Sequence, residues 1–152
     1  MTTTFETMIP SFHIRPITQL PEMLQQHRLI QHLNPQMEFS RYEQLLHQML
    51  PNNYQMVGVF DREMCIGLSG YWIGTKLYSG KYLEVDNFVV DEQYRSQGVG
   101  KLLLDWLTSE AGRQGCETMM LDAYVVNNAA HKFYLREGFA IKGFHFLKRL
   151  KK

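Results

Sequence analysis

The sequence lacks an excess of either charge. It carries 16 Lys and Arg residues against 15 Asp and Glu residues, so its formal net charge is +1. A chain this balanced has no broad positive field that would attract nucleic acid, which is therefore not an expected partner. The basic run at the C-terminus, residues 148–152, is interpreted as a solvated end of the chain.

Long apolar runs and cysteines are also scarce. No stretch reaches the ~18 apolar residues of a membrane span, and the N-terminus lacks the basic start and apolar segment of a signal peptide. These absences predict a cytoplasmic protein with no membrane partner. The two cysteines, Cys65 and Cys116, lie far apart in apolar surroundings, which predicts buried, reduced thiols. The histidines show no metal-ligand spacing, so no metal is expected.

Length and composition predict one domain spanning residues 1–152. Hydrophobic residues make up 45% of the chain and charged residues 20%, which is an ordinary globular balance. Thr18 is predicted to cap the first helix, and Ser40, with Glu43 three residues later, the second. Two further helices are expected at about 98–113 and 127–137, and strands at about 12–17, 54–60, 64–73, 81–90, 118–126 and 139–150. The order β-α-α-β-β-β-α-β-α-β implies an α+β fold whose central β-α-β unit is parallel.

A glycine-containing loop joins the predicted strand ending at Val90 to the helix that begins near residue 98. It reads Arg95-Ser96-Gln97-Gly98-Val99-Gly100-Lys101. The N–H groups at a helix N-terminus are unpaired and carry partial positive charge, so they favour an anion such as a pyrophosphate. A P-loop would need a hydroxyl residue where the chain has Leu102, and a dinucleotide-binding loop would need a glycine where it has Leu103. Both of those interpretations are weak.

The pattern Arg95-x-x-Gly98-x-Gly100 resembles the R/QxxGxG/A loop of the GNAT superfamily of acyl-CoA-dependent N-acyltransferases. The downstream segment from Asn127 through Tyr134 to Phe139 resembles the NxxAxxxYxxxGF region of the same superfamily. Specific resemblance covers about residues 82–140, and the element order matches along nearly all of the chain. It implies a GNAT-like fold with a mixed, mostly antiparallel sheet, a central parallel β-α-β unit and flanking helices.

The resemblance also implies a donor site for acetyl-CoA as a cosubstrate. The amides of the loop and of the helix start would hold the CoA pyrophosphate, and the preceding strand end would pair with the pantetheine arm. A side chain at Gly98 or Gly100 would obstruct the phosphates or require disfavoured dihedral angles. The residues expected to bind the cosubstrate are Phe88, Val89, Val90, Arg95, Ser96, Gln97, Gly98, Val99, Gly100, Lys101 and Asn127.

Acetyl transfer from a thioester to an amine needs a neutral amine, a stabilised oxyanion and a supported thiolate leaving group. The resemblance places Tyr134 near the CoA sulfur, where its hydroxyl would support the thiolate; a packing role in the core is the alternative. Glu84 and Asp86 share one face of a regular strand. Either could draw a proton from the amine through water or attract a cationic amine, unless both lie on a solvated face. His131 is interpreted as exposed.

The acceptor is expected to be chosen by the two N-terminal helices and by residues 70–81, which flank the cleft in the resembling fold. These segments and their neighbours offer aromatic and acidic side chains, namely Tyr71, Trp72, Tyr78, Tyr82, Glu38, Glu43 and Glu84. Such side chains suit a cationic amine. They do not indicate whether that amine is a polyamine, an aminoglycoside, a peptide N-terminus or a protein lysine. The predicted activity is N-acetyl transfer by direct attack in a ternary complex. The alternative is a non-catalytic acyl-CoA-binding sensor or interaction module, and the resemblance allows a homodimer through the final strand.

Overall fold

The structure is a computed structural model, and it describes residues 11–151. These residues form a five-stranded sheet in the order β1-β2-β3-β4-β5. The strands are β1 His13–Ile17, β2 Tyr54–Asp61, β3 Met64–Lys76, β4 Gly80–Val90 and β5 Thr118–Leu121. Neighbouring strands are antiparallel except β4 and β5, which are parallel. The predicted α+β fold, with its mixed, mostly antiparallel sheet, is confirmed.

Helices cover both faces of the sheet. They are α1 Leu20–Leu24, α2 His27–Leu33, α3 Phe39–Met49, α4 Val99–Arg113 and α5 Asn128–Arg136. Helices α1 to α3 bury apolar side chains such as Leu29 and Leu46 against one face, where Met56 of β2 also points. Helix α4 buries Leu103 on the opposite face with Val57, the next residue of β2, because successive side chains of a strand alternate between faces.

The N-terminal helices differ from the prediction. The first predicted helix is two short ones, α1 and α2, separated at Gln25 and Gln26. The buried Gln26 donates its side-chain amide to the Glu22 carbonyl (3.1 Å), which satisfies a carbonyl at the end of α1 and lets the chain turn. Gln19 rather than Thr18 occupies the position before α1. Helix α3 begins one residue before Ser40, and Glu38 precedes it without a side-chain cap, so the predicted capping box is wrong.

The predicted final strand, residues 139–150, is also wrong. Residues 140–151 contain no strand and their side chains are exposed, with Phe144 at 81% and Phe146 at 91% exposure. Alternating side chains predict which residues share a face, but a strand also needs a backbone partner. The neighbouring β5 ends at Leu121 instead of the predicted Val126 and offers only a short edge.

No helix within residues 11–151 combines the length and the apolar character that crossing a bilayer requires. Cys65 is buried as predicted, whereas Cys116 is only partly buried. Both thiols are free.

Candidate active site

The sheet opens between its two parallel strands. β4 and β5 pair from Tyr82 opposite Thr118 to Val85 opposite Leu121, and β5 then ends while β4 continues to Val90. Within the described part of the chain, nothing pairs with this outer edge of β4 beyond Val85. The edge therefore presents unpaired backbone groups to a cleft, as a partner strand or an extended ligand would require.

A bulge lies in β4 at the start of this free edge. Gly70 of β3 faces Asp86, but Leu68 faces Val89, so β4 holds one extra residue in this interval. Asn87 takes up the bulge in a left-handed conformation with φ +52°. Its side-chain amide donates to the hydroxyl of Tyr54 (3.1 Å), whose ring occupies the space where a Cβ of residue 70 would lie. Glycine at position 70 is thus needed to admit that ring.

Asp86 is held by two hydrogen bonds beside the bulge. The indole N–H of Trp72 donates to Asp86 Oδ2 (2.9 Å), and the backbone N–H of Asn87 donates to Oδ1 (2.9 Å). Both carboxylate oxygens therefore already have protein partners.

Glu84 lies two residues earlier on the same face. It is directly opposite Trp72, which is opposite Tyr54, and this row faces α1 to α3. Burial raises the pKa of Glu84, and the nearby carboxylates of Asp122 and Asp86 add to this effect, while the charge of Lys76 opposes it. No hydrogen bond within residues 11–151 occupies the Glu84 carboxylate, so it is the free acid of the pair.

The N-terminus of α4 supplies free amides at the cleft. Its first intrahelical hydrogen bond runs from the Leu102 N–H to the Gly98 carbonyl (3.0 Å), so the amides of Val99, Gly100 and Lys101 have no intrahelical acceptor. Gly98 precedes the helix with φ +83°, and Ser96 is also left-handed at +62°. Apart from its chain neighbours, no atom of residues 11–151 lies within 4 Å of a Cβ built on Gly98, so the dihedral angle, not packing, favours glycine there.

The charged side chains of the loop are largely exposed. Arg95 is 62% exposed, and its nearest acidic partner, Glu92, is 3.9 Å away. Lys101 lies 3.3 Å from both Asp105 and Glu137. Arg95 is thus only weakly held by the protein.

Helix α5 forms the opposite wall. Asn127 or Asn128 could cap this helix by sequence, and the structure shows Asn127 as the cap, because its Oδ1 accepts the Ala130 N–H (3.1 Å). The ring of Tyr134 packs edge-on against Phe88 of β4 (6.1 Å between centroids) and against Phe139 (5.8 Å). Burial raises the pKa of Tyr134 to about 12. Its hydroxyl has no hydrogen-bond partner among the residues described, so its proton is available to a ligand.

The structure therefore brings the predicted residues together in two groups. Phe88, Tyr134 and the 95–101 loop surround the free edge of β4, while Glu84 and Asp86 lie on the face towards α1 to α3. Sequence reasoning missed Tyr54 and Asn87. The local signal was an asparagine, a residue that tolerates positive φ, inside a predicted strand. His131 is half-buried rather than exposed, and its Nε2 bonds the Tyr124 carbonyl (2.8 Å).

Two other features do not add to this site. A hollow of about 580 Å³ lies between α4 and the sheet and is lined by Tyr71, Trp106 and Glu110 among others. The Glu110 carboxylate is already bonded to Arg113 and Gln114, so the hollow offers no free acid. In the described chain, no three His, Cys, Asp or Glu residues are grouped so that they could hold a metal ion.

The fold and the cleft define a class of protein. The structure superposes with a TM-score of 0.80 on an aminoglycoside N-acetyltransferase solved with CoA, at 18% identity, covering 93% of this chain and 96% of that one. The glucosamine-6-phosphate N-acetyltransferase of Arabidopsis thaliana gives a TM-score of 0.71, also at 18% identity, covering 93% and 99% of the two chains. These likenesses show that the fold is that of the N-acetyltransferases.

The sequence profile of the acetyltransferase (GNAT) family matches residues 22–139, and the chain belongs to this family. An uncharacterized N-acetyltransferase of Bacillus subtilis (strain 168) is 24% identical over 138 residues, covering 90% of this chain and 97% of that protein. The aminoalkylphosphonate N-acetyltransferase of Salmonella typhimurium is 34% identical over 99 residues, covering 64% of this chain and 58% of that protein. The predicted superfamily and the predicted class of enzyme, an acyltransferase, are confirmed.

Proposed function

We propose that this single domain transfers the acetyl group of acetyl-CoA to a primary amine by direct attack in a ternary complex. One observation carries the proposal: the unpaired edge of β4 ends at a loop and a helix start with free amides. An extended arm with a pyrophosphate at one end matches that arrangement, since the arm can add as a strand and the anion can bind the amides. No metal takes part in the proposed reaction.

The donor site consists of the residues expected from the sequence. The backbone of Phe88, Val89 and Val90 would pair with the pantetheine arm, and the amides of residues 96–101 would bind the pyrophosphate. Arg95 is exposed and only weakly held, so it can turn to a phosphate. The amide nitrogen of Asn127 would bind the arm, because its carbonyl oxygen already caps α5.

Glu84 is proposed as the proton acceptor for the amine. An amine with a pKa of ~10.4 is mostly protonated at neutral pH, and removing its proton costs roughly 4–5 kcal/mol. A carboxylate with a raised pKa is a stronger base, and that of Glu84 is unoccupied. Asp86 would attract the cationic amine and shape the bulge, because both of its oxygens already accept hydrogen bonds.

Tyr134 is proposed to support the departing thiolate. A phenol with a pKa of about 12 remains protonated at neutral pH, so it can donate a hydrogen bond. Complete proton transfer to a thiolate, whose conjugate thiol has a pKa of ~8.5, would be uphill by roughly 5 kcal/mol. The hydroxyl therefore acts mainly through a hydrogen bond that strengthens as the thiolate forms, and protonation follows.

The acceptor is proposed to be a cationic amine, such as a polyamine, an aminoglycoside or a peptide amine. The face that carries Glu84 also carries Trp72 and Tyr82, and the Lys76 ammonium already lies 5.2 Å from the centre of the Tyr82 ring. Rings that hold one ammonium group near a carboxylate can hold that of a substrate. The names of the relatives suggest adding an aminoalkylphosphonate and an aminoglycoside to the amines tested.

The deciding experiment is thiol release from acetyl-CoA in the presence of spermidine, an aminoglycoside, aminoethylphosphonate and a lysine-containing peptide. We expect at least one amine to accelerate release, and the acetylated amine to be recovered in equal amount. Binding of acetyl-CoA without amine-dependent release would favour the alternative, a non-catalytic acyl-CoA sensor or interaction module. Failure to bind acetyl-CoA in calorimetry would overturn both.

A homodimer is also proposed. Residues 140–150 expose Ile141, Phe144, Phe146 and Leu150, and β5 has an unpaired outer edge within the described chain. A second copy would cover both surfaces. Light scattering should give twice the mass of 17.9 kDa, and replacing Phe144 and Phe146 by Ser should give the monomer mass. A cytoplasmic location stays a prediction, which fractionation of cells that express the tagged protein would test.

A further inference from the structure

An ion pair between Asp91 and Arg28, whose side chain is 51% exposed, lies directly before the pyrophosphate loop. Asp91 follows the last residue of β4 and is only 7% exposed. Its Oδ1 accepts the backbone N–H of Gln93 (3.0 Å), and its Oδ2 accepts Nη1 of Arg28 (2.6 Å). Asp91 thus starts the single 3₁₀ turn, Glu92–Tyr94, that leads into the loop.

Arg28 reaches Asp91 from α2, which belongs to the helices on the opposite face of the sheet from α4. Its Nη2 donates to the Cys65 carbonyl (3.3 Å) near the start of β3, so the guanidinium bridges α2, β3 and the end of β4. Burial raises the pKa of Asp91, but the hydrogen bonds from Gln93 and Arg28 together lower it by more. The pKa of Asp91 is therefore below its usual value. The carboxylate is therefore ionised at neutral pH, and the ion pair is maintained.

A second contact holds the other end of the 3₁₀ turn. The hydroxyl of Tyr94 donates to Asp61 Oδ2 (2.8 Å) at the end of β2, and its ring lies edge-on to Phe12. The turn before the loop is thus tied to α2 at one end and to β2 at the other.

The loop itself has few ties of its own. Among residues 11–151, the Arg95 side chain has only the long contact to Glu92 (3.9 Å), and the Gln97 side chain bonds only the Gln93 carbonyl (3.3 Å). The Arg95 backbone N–H donates to the Glu92 carbonyl within the 3₁₀ turn (3.4 Å). Two residues of the loop, Ser96 and Gly98, are left-handed. The position of the loop is therefore set by its two ends, the 3₁₀ turn on one side and α4 on the other. Loosening one end would leave more conformations to be lost when an anion binds to the amides.

We propose that Arg28 is a positioning residue for the donor: through Asp91 it fixes the loop that binds the pyrophosphate of acetyl-CoA, without touching the cosubstrate. The inference rests on the proposed function for the identity of the donor. Arg28 should affect the binding of the pyrophosphate more than that of the pantetheine arm. Its hydrogen bonds among the described residues are to Asp91, which begins the turn into the loop, and to Cys65, not to residues 88–90 of the β4 edge.

The test compares a donor that has the pyrophosphate with one that lacks it. The variant Arg28→Met should raise the KM for acetyl-CoA and the Kd for CoA about tenfold, the typical effect of losing a hydrogen bond to a charged group. With S-acetylpantetheine as donor, its kcat/KM should match that of the wild type, and kcat with acetyl-CoA should change little. Arg28→Lys, which keeps the charge, should recover part of the loss.

The matched control is Arg15→Met. Arg15 also joins a strand to a helix, through two hydrogen bonds to Glu22 (2.7 and 2.9 Å), and none of its hydrogen bonds among the described residues involves residues 91–101. We expect it to lower the melting temperature without changing the KM for either donor. If Arg28→Met does not fold, Tyr94→Phe removes the other tie and should show the same selective loss.

Equal losses with both donors, or no loss with acetyl-CoA, would overturn the inference while leaving the proposed function intact. A wild-type enzyme that binds no CoA would instead overturn the donor assignment itself. The two failures are thus distinguished by a single titration of the wild-type protein.

Discussion

The indole N–H of Trp72 donates a 2.9 Å hydrogen bond to the carboxylate of Asp86 across β3 and β4. The same carboxylate accepts the N–H of Asn87, so it holds the first peptide of the bulge at the point where β4 leaves β5. These two hydrogen bonds distinguish Asp86 from Glu84, although the two acids are equivalent by their spacing in the strand. It leaves Glu84 as the acid with a free carboxylate and a raised pKa.

The first prediction contrasts the two acids by their pH dependence. A base must be ionised, so activity should fall as the pH drops through the pKa of Glu84, which burial raises above its ordinary value of 4.5. Glu84→Gln should lower kcat by about a hundredfold and remove this acidic limb, since positioned bases contribute roughly 10²–10⁴-fold. Asp86→Asn should keep the limb. Rate profiles between pH 5 and 9 measure both effects, and an acidic limb with its inflection at the same pH in Glu84→Gln would exclude Glu84 as the base.

The second prediction concerns Tyr134. Replacing it by Phe keeps the aromatic packing on Phe88 and removes only the hydroxyl, so turnover should fall at least tenfold with little change in acetyl-CoA affinity. The 83% exposed Tyr124 provides a control, and Tyr124→Phe should be neutral in both measurements. Steady-state rates and calorimetry with acetyl-CoA give the comparison. A Tyr134→Phe enzyme with unchanged turnover would remove this hydroxyl from the mechanism.

Much of the fold could be predicted because its signals are local. Two apolar runs predicted β2 and β3, and the short polar turn at residues 61–63 predicted the hairpin that joins them. The glycines of the 95–101 loop likewise predicted a turn into α4. The predicted strand at residues 139–150 is wrong for the opposite reason. Alternating side chains are a local signal, but a strand also needs a backbone partner, and whether one is present depends on the tertiary structure.

The sequence predicted which residues form the candidate site, but it did not predict the different roles of the two acids. Spacing placed Glu84 and Asp86 on one face, as observed. It could not tell that Trp72, 14 residues before Asp86, would occupy one of its oxygens, since that contact depends on the register of two strands. The ion pair between Arg28 and Asp91 spans 63 residues and carries no sequence signal either. Long-range polar contacts of this kind distinguish residues that spacing leaves equivalent.

The third prediction separates backbone conformation from ligand clearance at the two loop glycines. Gly98→Ala must place a Cβ on a residue with φ +83°, which costs about 1–2 kcal/mol and should lower the melting temperature. In Gly100→Ala the new Cβ would lie 3.6 Å from the Phe133 ring, an ordinary contact, so thermal stability should be unchanged. Both variants should lose acetyl-CoA affinity if the phosphates approach the loop closely. Unchanged acetyl-CoA affinity in Gly100→Ala would show that the phosphates do not approach this residue closely.

The fourth prediction concerns Asn87, whose left-handed conformation sets the bulge (φ +52°). Asn87→Ala and Asn87→Gly both lose the hydrogen bond to Tyr54, so both should be destabilised. Only alanine adds the steric cost of a Cβ at positive φ, about 1 kcal/mol, so Asn87→Gly should be the more stable of the two by that amount. Because glycine can still form the bulge, it should also retain more activity. Denaturant unfolding and thiol-release rates measure the pair, and equal stability of the two variants would show that the bulge relaxes once the contact with Tyr54 is lost.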